Sequence, residues 1–173
     1  MLGERLRSVR IKRGFSIAQA ADGSGLSTGF ISLLENGKSD ITVGRLSRLV
    51  AFYELNFPAI VSGSDSSSEP STVGYPSYHS VDEGVTYTAV SAGYGIMSTV
   101  KVEVEPGGGW KTPSQHPGEE FLHVLAGAIT AQVDGNQTIL TRGESLHYAS
   151  GVGHGLHNHS DKLAVVLAVM AHA

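Results

Sequence analysis

The hydrophobic period of this 173-residue chain changes once, and that change limits what it can fold into. Over residues 1–57 apolar side chains recur at helical spacing. From Val81 onward they alternate with polar ones at the spacing of strands. Between them, residues 62–77 read SGSDSSSEPSTVGYPS, rich in Ser, Gly and Pro and nearly free of apolar side chains. Such a stretch has nothing to bury and behaves as a flexible linker. The pattern predicts an α + β chain with an all-α domain at 1–61, a linker at 62–80 and an all-β domain at 81–173. A chain of this length has room for two small cores.

The helical third divides at its caps. Leu2, Leu6, Val9 and Ile11 carry the apolar face of a first helix, which Gly14 stops. Ser16 with Gln19 three residues later forms a capping-box pattern for the second. Ser27 caps a third, with Phe30, Ile31 and Leu34 as its buried stripe and Asn36-Gly37 as its stop. Thr42 caps a fourth, with Val43, Leu46, Leu49, Val50 and Tyr53 facing the core. A helix, a tight glycine-bearing turn and a second helix make the helix-turn-helix plan, in which the second helix enters the major groove.

The wording over roughly residues 2–57 resembles the phage-repressor-type (Xre/Cro) helix-turn-helix family. The resemblance rests on Ser16–Ala21, Gly25-Leu26-Ser27, Phe30-Ile31-Ser32 and Leu34–Lys38. It implies binding to double-stranded DNA. Ser27, Thr28, Gly29 and Ser32 then occupy the exposed start of the recognition helix. Thr28 and Ser32 are expected to read base edges, and Gly29 to permit close approach. Arg13, Gln19, Asn36 and Lys38 are expected to contact phosphates, which fix register rather than sequence. A homodimer is expected, because one such unit reads too few bases. The charge agrees in sign: residues 1–61 hold eight Lys/Arg and five Asp/Glu (8 − 5 = +3), and residues 62–173 hold four and eleven (4 − 11 = −7).

The remainder reads as strands at Val85–Val90, Ile96–Glu105, Phe121–Leu125, Ile129–Val133, Thr138–Leu140, Ser145–Tyr148, His154–Asn158 and Leu163–Met170. Eight short strands between glycine turns indicate a β-sandwich or barrel. Two spacings within them are similar to the two cupin motifs. One runs from Gly108 through Ser114, His116 and Glu120 to Gly127. The other runs from Gly143 through Gly151 and His154 to Asn158. The resemblance covers roughly residues 85–171 and implies a jelly-roll barrel. The chain departs from the motif at Ser114, which stands where a metal-binding histidine is usual, and at Ala149, which replaces a proline.

Whether His116 and Glu120 share an ion depends on the turn between them. Four residues of straight strand span roughly 13 Å, too far for one ion. Pro117-Gly118 excludes a helix and folds the segment back, so that both side chains can converge. With His154 they make a two-histidine, one-carboxylate set suited to Zn(II), Fe(II), Mn(II) or Ni(II), with Ser114 leaving a position open. The competing reading is a metal-free pocket in which the two histidines only form hydrogen bonds. Ser114, Leu122 and Leu156 are expected to line the pocket, the two leucines in register with Glu120 and His154. Tyr148, rather than its neighbour His147, is expected to turn inward. Trp110 and Lys111 are placed at the rim, and His123, His157 and His159 out of register.

Two functions follow from these resemblances. One is a transcriptional regulator whose barrel senses a small-molecule effector. The other is a mononuclear metal-dependent oxygenase of the phosphonate-epoxidase kind, carrying a helix-turn-helix domain. The chain has no cysteine, which excludes thiolate metal sites and disulfides. Without a long apolar run or a signal-peptide core, no membrane partner is expected, and the expected location is cytoplasmic.

Overall fold

The computed structural model describes residues 2–55, 60, 77–91 and 96–171. Four helices come first: α1 (Leu2–Lys12), α2 (Ile17–Ser24), α3 (Thr28–Glu35) and α4 (Val43–Phe52). Nine strands follow: β1 (Ser77–Ser80), β2 (Val85–Ala89), β3 (Met97–Val104), β4 (Glu119–Ala126), β5 (Ala128–Val133), β6 (Asn136–Thr141), β7 (Ser145–Ala149), β8 (His154–His157) and β9 (Ala164–Ala171).

The caps form as the sequence dictates. Ser16 Oγ accepts from Gln19 N at 3.1 Å, and Gln19 Oε1 accepts from Ser16 N at 2.9 Å. Ser27 Oγ accepts from Phe30 N at 3.2 Å. Leu6, Ile31, Leu46, Leu49 and Tyr53 close the helical core. Glu35 is buried there, and a two-pronged bond from Arg10 at 2.6 and 2.8 Å satisfies it. Ile11, expected on the apolar face of α1, is 58% exposed. It lies one residue from the end of that helix, beyond the reach of α3.

The strands make an antiparallel jelly roll. One sheet has six strands in the order β1-β2-β3-β9-β4-β7, and the other has three in the order β6-β5-β8. Alternation puts Val100, Val102 and Val104 of β3, and Leu122 and Val124 of β4, into one core with Val166 of β9. Strand β1 corrects the expected linker. Residues 77–80 pair with 88–85 of β2, and Ser77 Oγ lies 2.8 Å from Thr88 Oγ1. Its Ser-Tyr-His-Ser sequence lacks the apolar alternation of a strand, because only Ser80 on it is buried. The rest of the proposed linker, 62–76, lies outside the described residues.

The two domains are joined through α4. Val43 belongs to the barrel core rather than to the helical core expected for it, while Ala89 of β2 belongs to the helical core. Thr42 stands at the N-cap of α4, but its side chain makes no capping bond. The buried carboxylate of Glu83, from the barrel, takes over: it accepts from Val43 N and from Lys111 N, both at 3.0 Å. Burial pushes the Glu83 carboxyl above its ordinary range, against the pull of those two amides. Tyr78 of β1 donates to Asp40 just ahead of α4. Gly44, in the first turn, lies so close to the barrel that a Cβ there would meet Thr112 O at 2.5 Å and Pro113 O at 2.6 Å.

Candidate functional site

The turn at Pro117-Gly118 brings the predicted cluster together. Gly118 adopts φ 108°, His116 N donates to Ser150 O, and Ser150 N donates to Gly118 O, both at 3.0 Å. His116 therefore folds back over the start of β4, where Glu120 points inward. His154 opens β8 and is clamped to Ser114 by a pair of backbone bonds at 2.8 and 2.9 Å. One ligand atom from each of His116, Glu120 and His154 lies within 4.8 Å of the others.

The tautomers are set by the backbone. His154 Nδ1 donates to Val152 O at 2.9 Å, and His116 Nδ1 donates to Pro117 O at 3.3 Å. Both Nε2 lone pairs are thereby turned to the cavity, as metal-ligating imidazoles require. His154 Nε2 is buried and makes no hydrogen bond. It approaches Glu120 Oε2 to 3.1 Å without the alignment such a bond needs. His116 Nε2 stands 3.8 Å from the same oxygen. Tyr148, which does turn inward, donates to Glu120 Oε2 at 2.9 Å.

The charges favour a cation. Burial alone would push the Glu120 carboxyl up, but the nearness of His116 and His154 outweighs it and holds the group at about 2. Burial pulls His116 down, and Glu120 together with the Pro117 carbonyl reverses that and raises it. Burial and the Glu120 charge push the Tyr148 phenol well above its ordinary value, so it stays a donor. A carboxylate held anionic, two imidazoles fixed by their far nitrogens and a buried Nε2 without a hydrogen bond fit a divalent ion. The cluster can therefore bind a metal; its residues are His116, Glu120 and His154.

These three side chains border a cavity of about 510 Å³. Its barrel side is apolar, with Tyr87, Val100, Val102, Trp110 and Met170. Its other side is α4, which contributes Ser47, Val50 and Ala51, with Glu54 and Leu55 just beyond the helix. Ser114 lines the cavity as expected; it is buried, and its hydroxyl donates to Ser47 Oγ, also in the wall, at 3.0 Å. Leu122 and Leu156, expected as lining, are instead packed in the barrel core, and Tyr148 meets the cluster through its bond to Glu120 and through its ring, 5.3 Å from that of His154. Trp110, placed at the rim by sequence, is 93% buried in the wall (7% exposed). His123 bonds Ser145, and His157 stacks on His159, all away from the cluster. Sequence reading missed Gly44, Ser47, Ala51 and Glu83. Gly44 was the available signal, a glycine inside a helix where Ala is preferred.

Most of the predicted DNA-facing residues are exposed on the helical domain. Ser27, Thr28 and Gly29 are exposed, Ser32 is half-buried, and nothing stands within 4 Å of a Cβ built on Gly29. Gln19, Asn36 and Lys38 are exposed; the Gln19 oxygen serves the capping box, and Asn36 Nδ2 donates to Ser32 O at 2.7 Å. Arg13 is engaged by Glu54 at 2.9 Å.

An exposed recognition helix in a capped four-helix unit, joined to a jelly roll with an inward His/Glu/His cluster, defines a helix-turn-helix regulator with a cupin domain. Residues 6–60 match the helix-turn-helix family model and residues 100–170 the cupin domain model, so the chain joins a helix-turn-helix domain to a cupin domain. It is 26% identical over 170 residues to the HTH-type transcriptional regulator PuuR of Escherichia coli K12, covering 96% of this chain and 92% of that one. A helix-turn-helix family transcriptional regulator from Vibrio cholerae has the same fold, with TM-score 0.78 and 21% identity over 99% of this chain and 95% of that one. The Fe(II) form of HppE is also similar in fold, with TM-score 0.53 and 21% identity over 98% and 97%. Among the described residues, no helix is long and apolar enough to cross a membrane.

Proposed function

We propose that this regulator senses a small molecule in the cavity between α4 and the barrel, through a divalent ion held by His116, Glu120 and His154. The observation that carries the reading is the shared wall: α4 packs in the helical core and also lines the cavity beside the cluster. An occupant that prefers one placement of α4 shifts the helical domain with it. When bound, the ion would supply a Lewis-acidic anchor for an anionic or polar group. The protein groups do the rest. The Val152 and Pro117 carbonyls hold the imidazoles in orientation, Tyr148 steadies Glu120, and the apolar wall excludes water.

Residues 1–61 are the DNA-reading unit and residues 81–173 the sensing unit of a cytoplasmic homodimer. Thr28 and Ser32 read base edges in the major groove, flanked by Ser27 and Gly29, while Arg13, Gln19, Asn36 and Lys38 meet phosphates. Arg13 does so at the expense of its pair with Glu54. The oxygenase reading is weaker, because the helical domain keeps an unobstructed recognition face.

Two measurements test this. Metal analysis of protein purified without chelators should find about one equivalent, lost in His116→Ala and in His154→Ala; a metal-free wild type sinks the ion. A gel shift with the chain's own upstream DNA should lose at least about tenfold in affinity for Thr28→Ala with Ser32→Ala. Unchanged binding by that double variant moves base reading elsewhere.

A further inference from the structure

The chemistry of the cavity limits what it accepts. Two histidines and one carboxylate around a divalent ion leave one positive charge in excess (+2 − 1 = +1). Among the described residues lining the cavity the only other carboxylate is Glu54. Glu54, at the rim, is already paired with Arg13 at 2.9 Å. An uncompensated charge in an apolar cavity is costly, so the occupant is favoured to bring one negative charge. Among the described residues no Lys or Arg lines the cavity, so the cluster is the strongest anchor for an anion within it. Beyond the cluster the walls are mostly apolar, with Val100, Val102, Ala168 and Met170 on the barrel side and Val50 and Ala51 on α4; Ser47 and Ser114 bond each other. A highly charged occupant would lose its hydration there without replacement. At about 510 Å³ the cavity also exceeds what a lone small anion fills and falls within the range of small-molecule sites.

We infer that the cavity takes a small monocarboxylic acid with an apolar body, its carboxylate turned to the His116–Glu120–His154 cluster and its body lying against Val50 and Ala51 of α4. The inference rests on the reading that the cluster holds a divalent ion. It makes the helical domain part of the ligand site, with Ala51 as a residue that sets the length of acid accepted. Ala51 suits that role because it faces the cavity yet stands outside both cores.

The chain supplies its own reporter. Trp110 is the only tryptophan, and it lines the cavity. The full chain loaded with Zn(II) is titrated with acetate, butanoate, hexanoate and octanoate while Trp110 fluorescence is followed, with hexylammonium and hexanol as comparisons. Each added methylene should tighten binding about fourfold, the value of burying one methylene. Hexylammonium and hexanol should bind at least about tenfold more weakly than hexanoate. Ala51→Leu should flatten the series from butanoate to octanoate. Affinity independent of chain length, equal binding of hexylammonium, or a series unaltered in Ala51→Leu would overturn the inference and leave the metal cluster standing. A wild type that takes up no Zn(II) would overturn both, and the zinc stoichiometry measured beforehand tells the two failures apart.

Discussion

Helices α3 and α4 follow one another in the same small domain, and both bury an apolar stripe in its core. Their remaining faces differ. The start of α3 is open: Thr28 and Gly29 are exposed, and Leu33 stands 48% exposed beyond them. The first half of α4 meets the barrel, through Val43 in the barrel core, Gly44 on the barrel backbone and Ser47 on Ser114, and Val50 and Ala51 line the cavity between them. The contrast separates a face kept free for a partner from a face already committed within the chain. A helix of the second kind can pass on what happens in the barrel, whereas one of the first kind can only receive.

The two glycines give the strongest way to break this comparison. Gly44→Ala puts a methyl into the Thr112 and Pro113 carbonyls and should destabilise the chain by about 1–3 kcal/mol in urea unfolding, as overpacking does. Gly29→Ala meets open space and should stabilise by up to about 1 kcal/mol through helix propensity. Equal effects would mean that α4 is no more committed than α3. The exposed side is sharpened by Lys38→Ala, which should weaken DNA binding alike for all sequences and lower the slope of log affinity against log salt by about 1; a sequence-selective loss would make Lys38 a base reader.

The smallest effect concerns the cap on α4. Burial raises the Glu83 carboxyl above its ordinary 4.5, the Val43 and Lys111 amides opposing. The folded chain then holds this proton to higher pH than the unfolded chain does. Stability from this group is therefore greatest below the unfolded value and falls as pH rises through the raised one. Urea midpoints between about pH 4 and pH 7 should show a shallower fall in Glu83→Gln than in the wild type. Parallel profiles would separate the cap from the titration.

What could be read from the sequence was local. Capping at Ser16 and Ser27 needs partners two or three residues away, so residue order alone reveals it. The alternation of β3 and β4 assigns Val102 and Leu122 to one core without knowledge of the sheet order. The His116–Glu120 approach was legible because Pro117-Gly118 forces a turn, and His154 because a second spacing accompanies the first. The misses at the domain junction are long-range. Ser47 and Ser114 lie 67 residues apart, and Val43 and Glu83 lie 40 apart. Nothing in either neighbourhood announces the other. Leu122 and Leu156 failed as lining for a related reason: alternation tells which face of a strand is buried, not how deep in the barrel a position lies. Strand β1 was missed because pairing with β2, not its own composition, makes it a strand.

The carboxylate of Glu83 on the first amide of α4 bears on how such chains can be recombined. A chimera cut in the stretch between the domains would give α4 a foreign barrel, lacking the carboxylate that closes its first turn and the groove that admits Gly44. The heritable module therefore runs across the apparent boundary. A new barrel grafted onto α1–α3 should bring its own α4, and descendants that exchange sensing domains should carry the junction at the loop between Asn36 and Thr42.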